Sequence, residues 1–127
     1  MVEYLKIENS CDAKLFLERV NGLHDGHIIS AEYKNDGIEI VKDGYEFHPE
    51  KTELKISVLV TSIGDTIVEM IFDGVSEWRI QSGYCDDIMD SYISFDINGF
   101  VIWSDDESEC GDIRVVAKNM RWRSIEI

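Results

Sequence analysis

The sequence predicts an α+β domain, mainly β: one N-terminal amphipathic helix packed on a curved, hairpin-rich antiparallel sheet or partly open barrel. Three observations predict it. Apolar residues recur at helical spacing only once, between Ser10 and Gly22. From Ile29 onward the period is two, the period of a strand whose side chains alternate between faces. The strand-like runs are joined by short turn signals rather than helical crossovers, and only antiparallel strands can be joined so tightly. The 127 residues fit a single domain spanning 1–127. Hydrophobic residues at 44% and charged residues at 30% mark it as globular rather than disordered.

Each element follows in order. Residues 4–9 read as a short strand or lead-in. Ser10 suits a helix N-cap, with Asp12 in the first turn, where the helix dipole favours negative charge. Ala13, Phe16, Leu17 and Val20 form the apolar stripe, Lys14, Glu18 and Arg19 the polar one, and Gly22 is the stop. Ile29, Ala31 and Tyr33 then alternate into Asp36-Gly37, a type I′ pair that returns the chain through Ile38 and Ile40 and sets Lys34 opposite Glu39. Residues 42–52 read as a loop into which Tyr45 and Phe47 can tuck.

Residues 54–61 and 67–72 are apolar on both faces, as central strands are, with Gly64-Asp65 as a type II′ turn between them. Gly74 ends the second, and Val75, Trp78 and Ile80 suggest a further short strand. Residues 83–90 are a loop or helical turn. Residues 92–97 and 100–104 flank Asn98-Gly99, the preferred type I′ pair. A two-residue turn there sets Ile97 opposite Phe100 and Phe95 opposite Ile102, this set facing the core. Tyr92, Ser94, Asp96, Val101 and Trp103 then share the other face. The last strand runs over 113–117, and its phase slips near Asn119, where Met120 and Trp122 begin to alternate with Arg121 and Arg123; a β-bulge or bend is expected.

The net charge is −14, from 26 acids and 12 bases. Such a field opposes a phosphate backbone and an anionic membrane surface and favours a basic protein partner. Nine acids and no base lie between Arg79 and Arg114. Either the basic tail strand neutralises them, or they form an acidic rim for docking. Tyr92, Asp96, Trp103, Asp105, Asp106, Glu107 and Glu109 are the candidate partner-binding residues, aromatic contact area beside steering charge. A calcium loop over 105–112 fails the EF-hand order, since Cys110 stands where glycine is required. No cofactor is expected. A weakly associating edge strand allows a homodimer, and self-repulsion favours the monomer.

Cys11, Cys85 and Cys110 are odd in number and form no C-x-x-C pair, and the first residues lack a signal-peptide pattern. Free thiols in a cytoplasmic compartment are expected. His24, Asp25 and His27 are the alternative metal cluster, which would make the chain a metal-dependent enzyme. Against it stands the plainer reading of Asp25 as a turn cap. No nucleophile elbow, phosphate loop or dinucleotide fingerprint is present.

The run Leu23-His24-Asp25-Gly26-His27-Ile28, between a short helix and a strand, together with the later Phe72-Asp73-Gly74-Val75, resembles a signature of small uncharacterised bacterial β-rich domains. Some of these are treated as immunity proteins of polymorphic toxins. The resemblance spans roughly residues 15–104. It implies no catalytic residues, and it implies that His24 and Asp25 shape the first turn. The expectation that results is a non-enzymatic acidic binding protein, an immunity protein that occludes a basic toxin. A small-ligand or sugar-binding β-domain using Tyr92 and Trp103 is the remaining alternative.

Overall fold

A single α-helix and ten strands organise the computed structural model, which describes residues 3–81 and 87–126. The helix, α1, is Ser10–Arg19. The strands are β1 (Leu5–Ile7), β2 (Gly26–Asn35), β3 (Ile38–Val41), β4 (Gly44–Phe47), β5 (Thr52–Val60), β6 (Thr66–Ile80), β7 (Asp87–Ile88), β8 (Tyr92–Phe95), β9 (Val101–Ser104) and β10 (Ile113–Glu126). Every strand pair is antiparallel. The main sheet runs β7-β2-β5-β6-β10-β9-β8, with β1 also on β10. It curls into a half-barrel, the α+β, mainly β architecture with a partly open barrel that the sequence predicts.

The hollow of the half-barrel is filled from one side by α1. Asn9, one residue before Ser10, is the true N-cap: its side chain accepts the Asp12 N–H at 2.9 Å, and the Asp12 carboxylate in turn accepts the Glu8 N–H at 2.9 Å. Ala13, Phe16 and Val20 are buried, and Phe16 meets Trp122 edge to face at 4.9 Å. Strand residues reach the same core with period two: Leu54, Ile56, Val58 and Val60 from β5, then Val68, Met70 and Phe72 from β6. The expected slip near Asn119 is present. On β10 the inward set runs Ile113, Val115, Ala117 and then Met120, Trp122. β6 changes phase at the same level, from Phe72 to Val75.

That shared slip corrects one expectation. Gly74 does not end a strand; β6 passes through it and continues to Ile80. Gly74 has φ +67, and the Lys118 side chain lies where a Cβ on it would sit. A side chain at 74 would therefore be strained by backbone and neighbour alike. The bend keeps β6 paired with β10 along both halves.

Two hairpin expectations are also corrected. Asp36-Gly37 makes no tight turn and Lys34 does not face Glu39. Instead β2 pairs with β5, Lys34 opposite Glu53, and β3 pairs with β4. Residues 42–52 are accordingly not one loop: 42–47 are the turn and second strand of a separate ribbon, Pro49–Lys51 a 3₁₀ turn, and Thr52 opens β5. In the β8–β9 hairpin the register is one residue off the expected one. Ile93 faces Trp103 and Phe95 faces Val101, because Asp96 N–H bonds Phe100 O and residues 97–99 form a longer loop closed by Gly99 at φ +83. A one-residue shift exchanges the faces. Trp103 is 0% exposed, stacked on Phe72, and Ile97 is 99% exposed.

The convex face carries charge. Glu69, almost buried, lies between Lys55 Nζ at 2.9 Å and Arg123 Nε at 2.6 Å. The guanidiniums of Arg121 and Arg123 stand over the Tyr4 ring at 5.5 and 4.5 Å. Among the described residues, no helix is long and apolar enough to cross a membrane.

Candidate functional site

Four of the thirteen exposed large hydrophobic side chains among the described residues lie on the β3–β4 ribbon. Its residues alternate strictly. Ile38 faces Phe47 and Ile40 faces Tyr45 across the strands, so all four share one face. All four are exposed, Ile40 by 81% and Tyr45 by 67%. The strands are joined by Lys42-Asp43, and Gly44 at φ +144 takes a backbone conformation closed to other residues. The ribbon continues the β2–β5 hairpin past a 3₁₀ turn at Pro49–Lys51. Its base is stitched by His48 N–H to Gly37 O at 2.8 Å and Asp36 N–H to Lys51 O at 3.2 Å. It is an arm that leaves the main sheet with its apolar face exposed among the described residues.

The opposite face of the arm is acidic. Glu39 and Glu46 stand directly across from one another. His48 Nε2 lies 2.9 Å from Glu39 and 3.7 Å from Glu46, and its Nδ1 lies 3.7 Å from Glu50. Glu39, Glu46 and His48 are the one group of metal-capable side chains that converges among the described residues. Residues 36–50 hold five acids against one base, Lys42.

The residues expected to bind a partner are not one surface. Trp103 is in the core, its Nε1 donating to Ser91 Oγ at 3.3 Å, and touches no solvent; this overturns its role as an exposed contact or a stacking platform. Asp96 works in its own hairpin, where Oδ1 accepts the N–H groups of Asn98 and Phe100, both at 2.9 Å. Asp105 and Asp106 brace the 105–112 loop: Asp105 accepts the Ile113 N–H at 3.0 Å, and Asp106 accepts both the N–H and the hydroxyl of Ser108. Those bonds from Ser108 hold the Asp106 carboxyl below the usual range. Arg114 of the tail strand bridges Glu77 and Glu109, so the tail does neutralise part of the acidic segment. Tyr92 remains at the surface, and the charge of Asp90, then desolvation, then Glu107 and Asp106 raise its phenol pKa. Tyr92, Asp106 and Glu107 thus do share one acidic neighbourhood. Asp86 and Cys85 lie outside the described residues.

His24 Nε2 stands 3.7 Å from Asp25 Oδ2, but His27 does not converge with them. His24 Nδ1 lies 2.8 Å from Met89 O, an arrangement that, with Asp25 and Asp90 nearby, raises its pKa. His27 pairs with Asp87 of β7 at 3.1 Å. Asp25 N–H bonds Ile88 O, while its own carbonyl accepts from Thr61 and that of His24 from Ser62. Asn21, Gly22, Leu23 and Asp25 all have positive φ, Leu23 fills the core, and Gly26 has no room for a Cβ against Leu23 O and Val58. The Leu-His-Asp-Gly run is a knuckle that ties α1 to β7 and to the β5–β6 turn.

The arm is what sequence reasoning missed. A signal for it existed: Asp43-Gly44 is as good a turn pair as Asp36-Gly37, and it is flanked by Ile38, Ile40 and by Tyr45, Phe47. Comparison of the chain with protein-family models, with curated proteins and with solved structures finds no match.

Proposed function

We propose that this chain is a non-enzymatic binding protein that docks a basic protein through the β3–β4 arm. One observation carries the reading: four large apolar side chains share an exposed face of an arm whose other face is acidic. A two-stranded ribbon is marginal by itself, and a contiguous apolar patch in water usually marks an interaction surface. The five acids of residues 36–50 and the net charge of −14 select the partner's chemistry, an apolar recess rimmed by Lys and Arg. The acids around Tyr92 add to the field that steers encounter.

The resemblance of the Leu23-His24-Asp25-Gly26 run to small uncharacterised bacterial β-rich domains, some of them treated as immunity proteins, supports a more specific form, in which the partner is a basic toxin occluded in the cytoplasm. Exposed free thiols at Cys11 and Cys110 agree with a reducing compartment. The test is calorimetry of the purified chain against the purified product of the adjacent gene, at low and at high salt. Binding that weakens with salt is expected. The Ile40→Ser, Tyr45→Ser double variant should lose about 2 kcal/mol or more, as central aromatic contacts do. Absence of binding at low salt, or equal binding by the double variant, overturns the proposal.

A further inference from the structure

Glu39 and Glu46 stand directly opposite each other across the β3–β4 ladder, so both carboxylates project from the same face of the arm. Like charges so placed repel. His48 lies two residues beyond Glu46 and brings a nitrogen to both: its Nε2 is 2.9 Å from Glu39 and 3.7 Å from Glu46. The three donor atoms all lie within 4.8 Å of one another. The chain has three histidines. Among the described residues, His24 and His27 have one carboxylate partner each, Asp25 and Asp87. His48 has carboxylates at both ring nitrogens, with Glu50 Oε1 3.7 Å from Nδ1.

Two features mark this group as a metal-donor set rather than a patch of surface acids. The first is its spacing. Zinc bonds of about 2.0–2.1 Å in a tetrahedron separate the donor atoms by about 3.3 Å. The two distances from His48 Nε2, 2.9 and 3.7 Å, bracket that separation. The second is the imidazole itself. A neutral ring has one N–H, yet here carboxylates face both nitrogens. A metal on Nε2 resolves the conflict. The Nε2 lone pair goes to the metal, and the Nδ1–H turns to Glu50, the usual outer carboxylate of a metal-bound histidine. The His48 backbone is held in place for this, its N–H on Gly37 O at 2.8 Å, and a Cβ at Gly37 would collide with the His48 carbonyl.

We propose that Glu39, Glu46 and His48 form a zinc site that clips the two strands of the arm together. One imidazole nitrogen and two carboxylates suit zinc, whereas calcium and magnesium prefer about six or more oxygen ligands. The divalent charge balances the two carboxylates and ends their repulsion across the ladder, and water completes the coordination. Glu39 and Glu46 are 59% and 61% exposed on the outside of a ribbon, not sunk in a cleft, so the metal is a clamp and not a hydrolytic centre. A two-stranded ribbon is marginal by itself. A metal that bridges its strands around the Lys42-Asp43 turn stabilises the paired form. Zinc thereby fixes the geometry in which Ile38, Ile40, Tyr45 and Phe47 share the other face. Metal binding uses none of those four side chains, so it stands or falls independently of the docking proposal.

The experiment is an NMR titration of the full ¹⁵N-labelled chain with zinc chloride, with calcium chloride as the hard-cation control. The thiols are blocked first, since Cys11 and Cys110 are exposed and would compete for zinc. Saturable one-to-one shifts are expected at the amides of Glu39, Glu46 and His48 and at the His48 ring nitrogens. Zinc should bind at least tenfold tighter than calcium, and hydrogen exchange of the paired β3 and β4 amides should slow at least tenfold. His48→Gln and the Glu39→Gln, Glu46→Gln double variant should each weaken zinc at least tenfold, and His27→Gln should leave it unchanged. Far-UV circular dichroism checks that each variant is folded. Shifts centred on other residues, calcium binding as tight as zinc, unchanged exchange in the arm, or undiminished zinc binding by either folded arm variant overturns the proposal.

Discussion

The β3–β4 arm and the β8–β9 hairpin are built from nearly the same local sequence pattern and meet opposite fates. Each has two four-residue strands, an acid-and-glycine turn region and alternating aliphatic and aromatic side chains. In β8–β9 the apolar face of Ile93, Phe95, Val101 and Trp103 closes the core beside β10 and α1. In the arm, Ile38, Ile40, Tyr45 and Phe47 face water. Attachment decides the difference. β9 pairs with the long central strand β10, whereas the arm extends outward from the far end of β2 and β5. Local pattern makes a hairpin, and the neighbouring element determines whether its apolar face is core or surface.

The comparison can be broken most easily at its strongest point. Trp103→Ala should cost about 4 kcal/mol of unfolding free energy, because it empties a fully packed site between Phe72 and Ser91. Urea denaturation measures it, and a loss under 1 kcal/mol would place Trp103 outside the core. The charged residues of the central sheet and of the arm give a second contrast. Burial pushes the Glu69 carboxyl up, but hydrogen bonds from Lys55 and Arg123 outweigh it and hold it below its ordinary 4.5. A carboxyl depressed in the folded state stabilises above its unfolded pKa and loses that contribution as pH falls through the folded value. Glu69→Gln should therefore cost about 3 kcal/mol at pH 7. The gap to wild type should narrow below pH 4.5, read from denaturation midpoints across pH. The exposed Glu39, set against Glu46, should show no such loss when changed to Gln. The smallest effect belongs to the arm's apolar face. Ile40→Ser should change stability by no more than about 0.5 kcal/mol, since the side chain gains no burial on folding. A larger loss would mean that the arm packs on the domain in solution.

Much of this fold was legible before any coordinates. The helix over Ala13, Phe16 and Val20 and the phase slip near Asn119 follow from side-chain periodicity, which local backbone geometry enforces, and the central place of β5 and β6 follows from their apolar runs. The candidate site was less legible. Asp36-Gly37 and Asp43-Gly44 are equivalent turn signals, and nothing local states which one a strand folds back upon. Asn98-Gly99 suits both a two-residue and a three-residue loop, and the choice reverses every side chain beyond it.

What the amino-acid sequence determined alone was therefore the class: a helix, antiparallel hairpins, a bulge and a heavy excess of acid. Tertiary structure decided the rest. It chose the β8–β9 register because only that register puts Trp103 against Phe72. It left the arm's apolar face exposed because, among the described residues, no element buries it. Each of these outcomes joins residues far apart in the chain, and a local pattern carries no term for such contacts.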